Sequence, residues 1–204
     1  MNNTIYPFSN PIYHTIIEDS VYDKIKEDVL NYIDNNINLF KESWECPTLS
    51  NIGISIEKRF QNEIFNKYLQ RFTNEYLKEW NFSFNIEPEF VIDETWINIS
   101  PPGAYQEVHA HIESPSSNIG GYPLFSGVFY IEVSENSGDL VLKNPNNINL
   151  YNLPRSNKNP LLFNIPPKQQ HLIMFPSYLE HSVNRNNSNQ KRISISFNIF
   201  YNKL

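Results

Sequence analysis

Residues 192–200 read RISISFNIF, and their strict alternation decides how the rest of the chain has to fold. Successive side chains of a β-strand point to opposite faces of its sheet. One face of this strand is therefore apolar, whereas the other carries Arg192, Ser194, Ser196 and Asn198. The apolar face is expected to pack in a core. The polar face is expected either to meet water or to line a pocket.

Four further segments have the composition of short strands. They are rich in β-branched and aromatic residues, and turn residues separate them: 89–100, 124–133, 139–145 and 171–176. The 14 Phe and 12 Tyr of the chain suit a β-rich core. Residues 144–169 are rich in Asn and Pro, so we expect a long surface loop there. Such loops often border a binding site.

The first third of the chain has helical periodicity. Apolar residues recur every fourth position from Val21 to Ile33, after a candidate N-cap at Asp19-Ser20. A second helix with an aromatic core stripe is predicted over 58–80. Helices followed by a run of strands indicate an α+β, mainly β, single domain. We expect helical support over about 1–85 and a jelly-roll core over about 86–204, with the helices on one outer face.

Composition excludes several classes of protein. The 204-residue chain has 6 glycines and no Gly-rich phosphate motif, which argues against nucleotide-binding loops. A net charge of −6 without a basic run predicts no nucleic-acid surface. The single cysteine, Cys46, rules out an intrachain disulfide. No secretory signal and no apolar run of about 20 residues is found, so a cytoplasmic, non-membrane protein is expected.

The stretch VHAHIES, residues 108–114, holds two of the five histidines. In a strand, His109 and His111 would point to the same face, as two ligands of one metal must. Spacing alone is equally typical of a solvent-facing strand with two exposed imidazoles. A third candidate ligand is His181, which follows an apolar run and a proline and is expected at a strand start. His14 and His171 have no supporting neighbours and are taken as structural.

Together, these segments resemble the motif series of the Fe(II)- and 2-oxoglutarate-dependent oxygenases. The resemblance rests on the paired histidines, His181, and Arg192 eleven residues after it. It is closest to a group of such oxygenases from marine bacteria and their phages, and it spans roughly residues 94–200. The blocks that carry it are WIN at 96–98, SGVFY at 126–130, FPSYLEHSV at 175–183 and RISISFN at 192–198.

This resemblance implies a double-stranded β-helix with Fe(II) at its mouth, held by His109, His111 and His181. It implies a hydroxylase that uses 2-oxoglutarate and O2 and, if phage-encoded, works in the host cytoplasm. The resemblance leaves open whether the primary substrate is a small molecule or a protein. An oligomer is compatible with the sequence.

The co-substrate needs its own polar residues. A carboxylate is best bound by the planar guanidinium of arginine, and Arg192 is the candidate, with Ser194 donating a second hydrogen bond. Asn98 and Tyr130 are further candidates for contact with 2-oxoglutarate. Either side chain is also typical of a hydrogen-bonded core residue.

Position 111 departs from the wider superfamily, which carries a carboxylate there. We favour His111 itself as the ligand, because imidazole binds iron well and the spacing is right. Alternatively, Glu107, of the same strand parity, or Glu113 could supply a carboxylate ligand. A third possibility is that His111 does not bind the metal directly and that water occupies this coordination position. Three neutral ligands would leave the metal site one negative charge short.

Two other functions fit parts of the sequence. A cupin-type three-histidine metalloenzyme is suggested by Gly103, six residues before His109, and Pro176, five before His181. However, the cupin glutamate expected shortly after His111 is missing, and the arginine of the last strand has no role there. The remaining alternative is a non-catalytic jelly-roll binding protein.

Overall fold

The computed structural model describes residues 10–43, 45–79, 89–112, 121–146 and 160–202. Within these ranges lie two α-helices, two short 3-10 turns and eleven strands. The helices are α1 (Asp19–Asn36) and α2 (Glu63–Glu79). The strands are β1 (Tyr13–Ile16), β2 (Lys41–Glu42), β3 (Leu49–Ser50), β4 (Glu89–Ser100), β5 (Gln106–His109), β6 (Phe125–Glu132), β7 (Leu140–Lys143), β8 (Leu162–Ile165), β9 (His171–Pro176), β10 (His181–Val183) and β11 (Arg192–Asn202).

All of these strands pair antiparallel, in two sheets. The larger sheet has the order β1-β9-β6-β11-β4-β3-β2, and the smaller has the order β5-β10-β7-β8. Strand β11 is central, because it pairs with β4 on one side and with β6 on the other. The mainly β class with N-terminal helices, predicted from the sequence, is confirmed.

Both faces of β11 are covered. Its apolar residues Ile193, Ile195 and Phe197 are fully buried in a core that also contains the apolar faces of α1 and α2. Its polar face looks the other way, into the space between the two sheets, where Arg192 and Ser194 line a cavity. Of the two expectations for this polar face, the pocket is therefore the correct one.

Aromatic contacts fix α2 onto the central strands. The ring of Phe65 stacks on Phe129 of β6 at 5.4 Å and meets Phe197 of β11 edge-on at 5.9 Å. Phe65 is 1% exposed, and both partners are fully buried. Such aromatic pairs stabilise packing beyond the area that they bury. The helices therefore hold the outer face of the sheet whose inner face lines the cavity.

Both helices begin at residues other than those predicted. Asp19 lies inside the first turn of α1, and Glu18 at the N-cap makes no side-chain cap bond, so the predicted cap is wrong. The Asp19 carboxylate instead accepts a hydrogen bond from Gln170 at 2.7 Å. Helix α2 starts at residue 63 rather than 58, because Asn62 Oδ1 accepts the backbone N–H of Phe65 at 2.9 Å and caps the helix.

Several short strands were not predicted from the sequence. Strands β1, β2 and β3 lie in the region assigned to helical support and extend the larger sheet at its two edges. Strand β8 lies inside the predicted loop 144–169 and pairs with β7, so that part of the loop prediction is wrong. Residues 147–159 of that loop lie outside the described residues, as does the predicted boundary near 86, which stays a prediction. Among the described helices, none is long and apolar enough to cross a membrane.

Replacing Phe65 by alanine is expected to destabilise the fold by about 3–5 kcal/mol, since a buried aromatic leaves a cavity between helix and sheet. Urea unfolding followed by circular dichroism measures this change. Phe163→Ala is the matched control: Phe163 is 51% exposed on the edge strand β8, so its loss should cost less than about 1 kcal/mol. Equal losses in the two variants would contradict the packing described.

Candidate active site

A small cavity lies between the two sheets. Polar residues from strands of both sheets face it, among apolar ones. Its lining consists of Trp96, Gln106, His109, His111, Gly127, Val128, Tyr130, Leu140, Phe175, His181, Val183, Arg192, Ser194 and Ser196. Six of the seven candidate site residues therefore line the cavity, and only Asn98 does not.

The three candidate metal ligands meet at one end of this cavity. His109 ends β5 and is paired directly with His181, which starts β10. His111 lies two residues beyond β5, where its backbone N–H donates to Ser177 O at 3.1 Å. One nitrogen of each imidazole lies within 4.8 Å of the other two. Among the described residues, no other cluster of three or more His, Cys, Asp or Glu side chains has this geometry.

In each of the three imidazole rings, a hydrogen bond at Nδ1 fixes the orientation of the ring. The Nδ1 atoms of His109 and His181 lie 2.8 Å and 2.9 Å from the carbonyl oxygens of Glu107 and Leu179. Because a carbonyl only accepts, each Nδ1 carries the proton and donates it. Each Nε2 then keeps its lone pair, which is the tautomer that a metal ligand requires.

His111 reaches the same state through a side-chain network. Its Nδ1 lies 2.7 Å from Asn198 Oδ1, which also accepts a hydrogen bond from the Ser126 hydroxyl at 2.7 Å. The amide of Asn198 is oriented by Glu94, because its Nδ2 donates to Glu94 Oε2 at 2.6 Å. The sequence placed Asn198 on the polar face of β11 but did not indicate that it would hold a histidine.

The imidazoles of His111 and His181 are neutral at neutral pH. Burial lowers the pKa of His111 to about 4. Burial and the neighbouring His109 and His111 rings also hold the pKa of His181 well below its usual range. A neutral imidazole offers a lone pair without competing protonation, so the cluster suits a divalent cation. One shared ion with bonds of about 2.1 Å requires nitrogens no more than about 4.2 Å apart, so the rings would draw together slightly on binding.

A β-bulge explains why Glu107 is not part of this cluster. His181 pairs with His109, but Val183 pairs with Gln106, so two residues of β5 oppose one of β10. As a result, Gln106 and His109 both line the cavity, although they differ in parity. The expectation that Glu107 shares the face of His109 is therefore wrong. The other candidate carboxylate, that of residue 113, lies outside the described residues.

A buried arginine occupies another part of the cavity. Arg192 is 3% exposed. Its Nη1 donates to the carbonyl oxygens of Ser137 and Gly138 at 2.7 Å and 2.9 Å, and its Nη2 donates to Ser100 Oγ at 3.2 Å. Gly138 has a positive φ of 97°, and a Cβ there would lie 2.1 Å from Asn184 O. This turn can therefore approach the guanidinium only with glycine at position 138.

No carboxylate neutralises Arg192 among the described residues, and its Nε is buried without a hydrogen-bond partner. Burial lowers the pKa of Arg192, yet guanidinium remains charged in proteins. An unpaired buried charge is costly, and the cost is recovered when an anion binds it. The site thus combines three converging histidine side chains, which suit a cation, with a buried positive charge, which suits a carboxylate.

The remaining predicted residues lie in different surroundings. Tyr130 faces the cavity, and burial raises its pKa to about 12, so its hydroxyl stays protonated and can donate. Asn98 does not line the cavity. Its Nδ2 donates to Ser196 Oγ at 3.0 Å, and its Oδ1 is buried without a hydrogen-bond partner in the described part of the chain. His14 and His171 lie away from the cavity, with Nε2 of His14 2.9 Å from Nδ1 of His171.

Comparison with known proteins agrees with this geometry. A family model described as a 2OG-Fe(II) oxygenase, where 2OG is 2-oxoglutarate, matches residues 94–198. No curated protein matches the chain in sequence. Among solved structures, a prolyl-4-hydroxylase from Pseudomonas putida is similar with a TM-score of 0.63 and 14% identity, covering 96% of this chain and 94% of that one.

Two other solved structures are similar in fold. A Trichoplax adhaerens prolyl hydroxylase, in complex with a hypoxia inducible factor peptide fragment, has a TM-score of 0.59 and 16% identity over 94% of this chain and 84% of that one. Streptomyces hygroscopicus HygX, with nickel, 2-oxoglutarate and hygromycin B bound, has a TM-score of 0.59 and 9% identity over 93% of this chain and 82% of that one. The predicted double-stranded β-helix is confirmed.

The stability of the metal-free protein should rise with pH in weakly acidic solution. The His111 pKa is about 4 in the folded protein, against an ordinary value of 6.5, so the unfolded chain binds more protons between these values. The free energy of unfolding should therefore increase from about pH 4 to 6.5, by up to about 1.4 kcal/mol per unit for each such histidine, and then level off.

Urea titrations of the metal-free protein at several pH values measure this slope. In His111→Asn, which has no titrating ring at this position, the slope should be shallower. A stability that falls with pH over this window, or a slope unchanged in the variant, would contradict the burial of a neutral His111.

Proposed function

Since this chain belongs to the 2OG-Fe(II) oxygenase family, we propose that its cavity binds Fe(II) through His109, His111 and His181 and binds 2-oxoglutarate through Arg192. One observation carries this proposal. Three converging imidazoles and a buried guanidinium that no carboxylate of the described residues pairs with line the same cavity. The first set fits a divalent cation, and the second fits a carboxylate.

The residues present fit this metal and this co-substrate. Their Nδ1–H bonds hold the three rings so that the opposite nitrogens are available. The charge balance also favours a dianion: one carboxylate would neutralise Arg192, and the other would offset part of the charge of Fe(II). Because all three protein ligands are neutral, this second neutralisation matters more here than at a site with a carboxylate ligand.

Bound Fe(II) would supply the activation of O2, which in this family is coupled to decarboxylation of 2-oxoglutarate and oxidation of a substrate C–H bond. The protein's own residues bind and orient. Ser194 and the protonated Tyr130 are proposed as further hydrogen-bond donors to the co-substrate, and Asn98 as a residue that positions Ser196 beside it. Apolar side chains of the lining, such as Leu140 and Phe175, exclude water.

The other functions considered from the sequence explain less of the cavity. A cupin-type site gives no role to the buried Arg192. A non-catalytic jelly-roll protein gives no role to a buried guanidinium that lacks a carboxylate partner among the described residues and lies in the same cavity as three converging imidazoles. The primary substrate of the proposed hydroxylation could be peptide or small molecule, since similar folds bind a peptide fragment in one solved structure and hygromycin B in another. A cytoplasmic location is part of this proposal.

Anaerobic addition of Fe(II) and then 2-oxoglutarate should produce the visible charge-transfer absorption of their chelate. His111→Ala should lose this absorption, because one of three metal ligands is removed. His14→Ala is the matched control, since this exposed histidine is paired with His171 outside the cavity, and it should behave as the wild type. Full iron affinity in His111→Ala would refute the three-histidine site.

Arg192→Ala should weaken 2-oxoglutarate binding by roughly a hundredfold, the loss expected for two charge-assisted hydrogen bonds. Arg192→Lys should fall between the wild type and Ala, since lysine keeps the charge but not the planar fork. Calorimetry with the iron-loaded protein measures both affinities. Iron binding should be unchanged in either variant.

Arg185→Ala serves as the control for these variants. The Arg185 guanidinium is exposed and donates to Gly103 O at 2.6 Å, so its loss should leave 2-oxoglutarate binding intact. If Arg192→Ala bound 2-oxoglutarate as tightly as Arg185→Ala, the proposed co-substrate site would be wrong.

A further inference from the structure

A second pocket lies next to the cavity. We call it the outer pocket. Trp96 and His111 line both spaces, so these two rings form the wall that separates them. Their ring centroids are 5.7 Å apart. A molecule in the outer pocket would therefore contact the same residues that border the histidine cluster.

The outer pocket has an apolar wall and one acidic side chain. Ile52, Ala110 and Pro123 supply apolar surface, and Glu94 supplies a carboxylate. Arg59 also lines the pocket, but its guanidinium donates to the backbone oxygens of Ile52 and Ile54, at 2.6 Å and 3.1 Å. No ion pair joins Arg59 to Glu94 in the described part of the chain.

Only half of the Glu94 carboxylate is used within the protein. Oε2 accepts the hydrogen bond from Asn198 Nδ2 at 2.6 Å. Oε1 has no hydrogen-bond partner among the described residues, and no Lys, Arg or His side chain of those ranges pairs with it. Oε1 is therefore available as a hydrogen-bond acceptor to a ligand in the outer pocket.

The bond to Asn198 does not explain the charge of Glu94. A glutamine at this position could accept the same hydrogen bond through its amide oxygen and would orient Asn198 equally well. Its remaining group would be an amide NH2, which donates rather than accepts. The negative charge is thus not needed to hold His111, and it is available to a cation that enters the outer pocket.

We propose that the outer pocket binds the primary substrate, and that Glu94 Oε1 accepts a hydrogen bond from a cationic nitrogen of that substrate, an ammonium or guanidinium group. The apolar wall would contact the carbon chain beside this nitrogen, and Trp96 and His111 would border the carbon that faces the metal cluster. The site of oxidation rests on the proposed function. The recognition of a cation by Glu94 does not.

Nuclear magnetic resonance tests this recognition without iron or 2-oxoglutarate. The indole N–H signal of Trp96 serves as the reporter, assigned by its disappearance in Trp96→Phe. The probes share one alkyl chain and differ in the head group: n-butylammonium, n-butylguanidinium, n-butanol and butyrate. In the wild type, the two cations should shift the Trp96 signal saturably, with affinities at least about tenfold higher than those of butanol and butyrate.

Glu94→Gln should abolish this preference, because it removes the charge and keeps the bond to Asn198. The affinity for both cations should fall by about ten- to a hundredfold. Unchanged His111 ring signals would show that the orientation of the histidine survives. Glu180→Gln is the matched control, since Glu180 pairs with Lys143 elsewhere on the surface, and it should titrate as the wild type.

Three results would overturn the proposal: butyrate or butanol binding as well as the cations in the wild type, wild-type cation affinity in Glu94→Gln, or no shift of the Trp96 signal with any probe. The first and third need only the wild-type protein, so a misfolded variant cannot hide them. Charge-transfer absorption of the wild-type protein with Fe(II) and 2-oxoglutarate tests the oxygenase function separately, without any substitution at Glu94. Loss of cation binding would leave that function standing, and loss of the absorption would leave the cation site standing.

Discussion

The covering of β11 on both faces is the constraint on which the rest of the structure depends. Helices α1 and α2 bury its apolar side, and the smaller sheet encloses its polar side. A strand that is buried twice cannot slip by one residue, because a slip would move Arg192 and Ser194 into the helix-packed core and Ile193 into the cavity. The register of β4 and β6 against β11 follows from this requirement, and with it the relative positions of the arginine and the histidine cluster.

The orientation of the imidazole rings in the histidine cluster depends on hydrogen-bond acceptors rather than on neighbouring charged groups. Backbone oxygens orient His109 and His181, and they cannot change protonation or rotate away. His111 depends on Asn198, whose orientation is set in turn by Ser126 and Glu94. The two strand-borne histidines are therefore preorganised by the fold itself. The third is held by side chains that also border the outer pocket, so binding there has a direct physical route to the metal cluster.

Strong alternation and motif spacing made the central features predictable. β4, β9 and β11 appear close to their predicted bounds, and the three histidines and Arg192 line one cavity as expected. Local geometry was not predictable. The bulge in β5 depends on pairing with a distant strand. For the N-cap of α2, Asn62 was one of several polar residues nearby that could have served. β1 and β8 are short edge strands with too few residues for an alternating pattern. Asn198 was visible as a polar residue, but its partner depends on the chain path between β5 and β6.

At the bulge in β5, the number of residues matters to the site, whereas the type of residue at the exposed position does not. Val108 is 58% exposed, so many side chains could replace it without disturbing the core. Its backbone, however, is one of the two residues that oppose Ser182, and this extra residue lets Gln106 and His109 both face the cavity. Deleting it would turn one of them outward. Among homologous chains, position 108 should vary freely in residue type while the spacing between Gln106 and His109 tolerates no insertion or deletion.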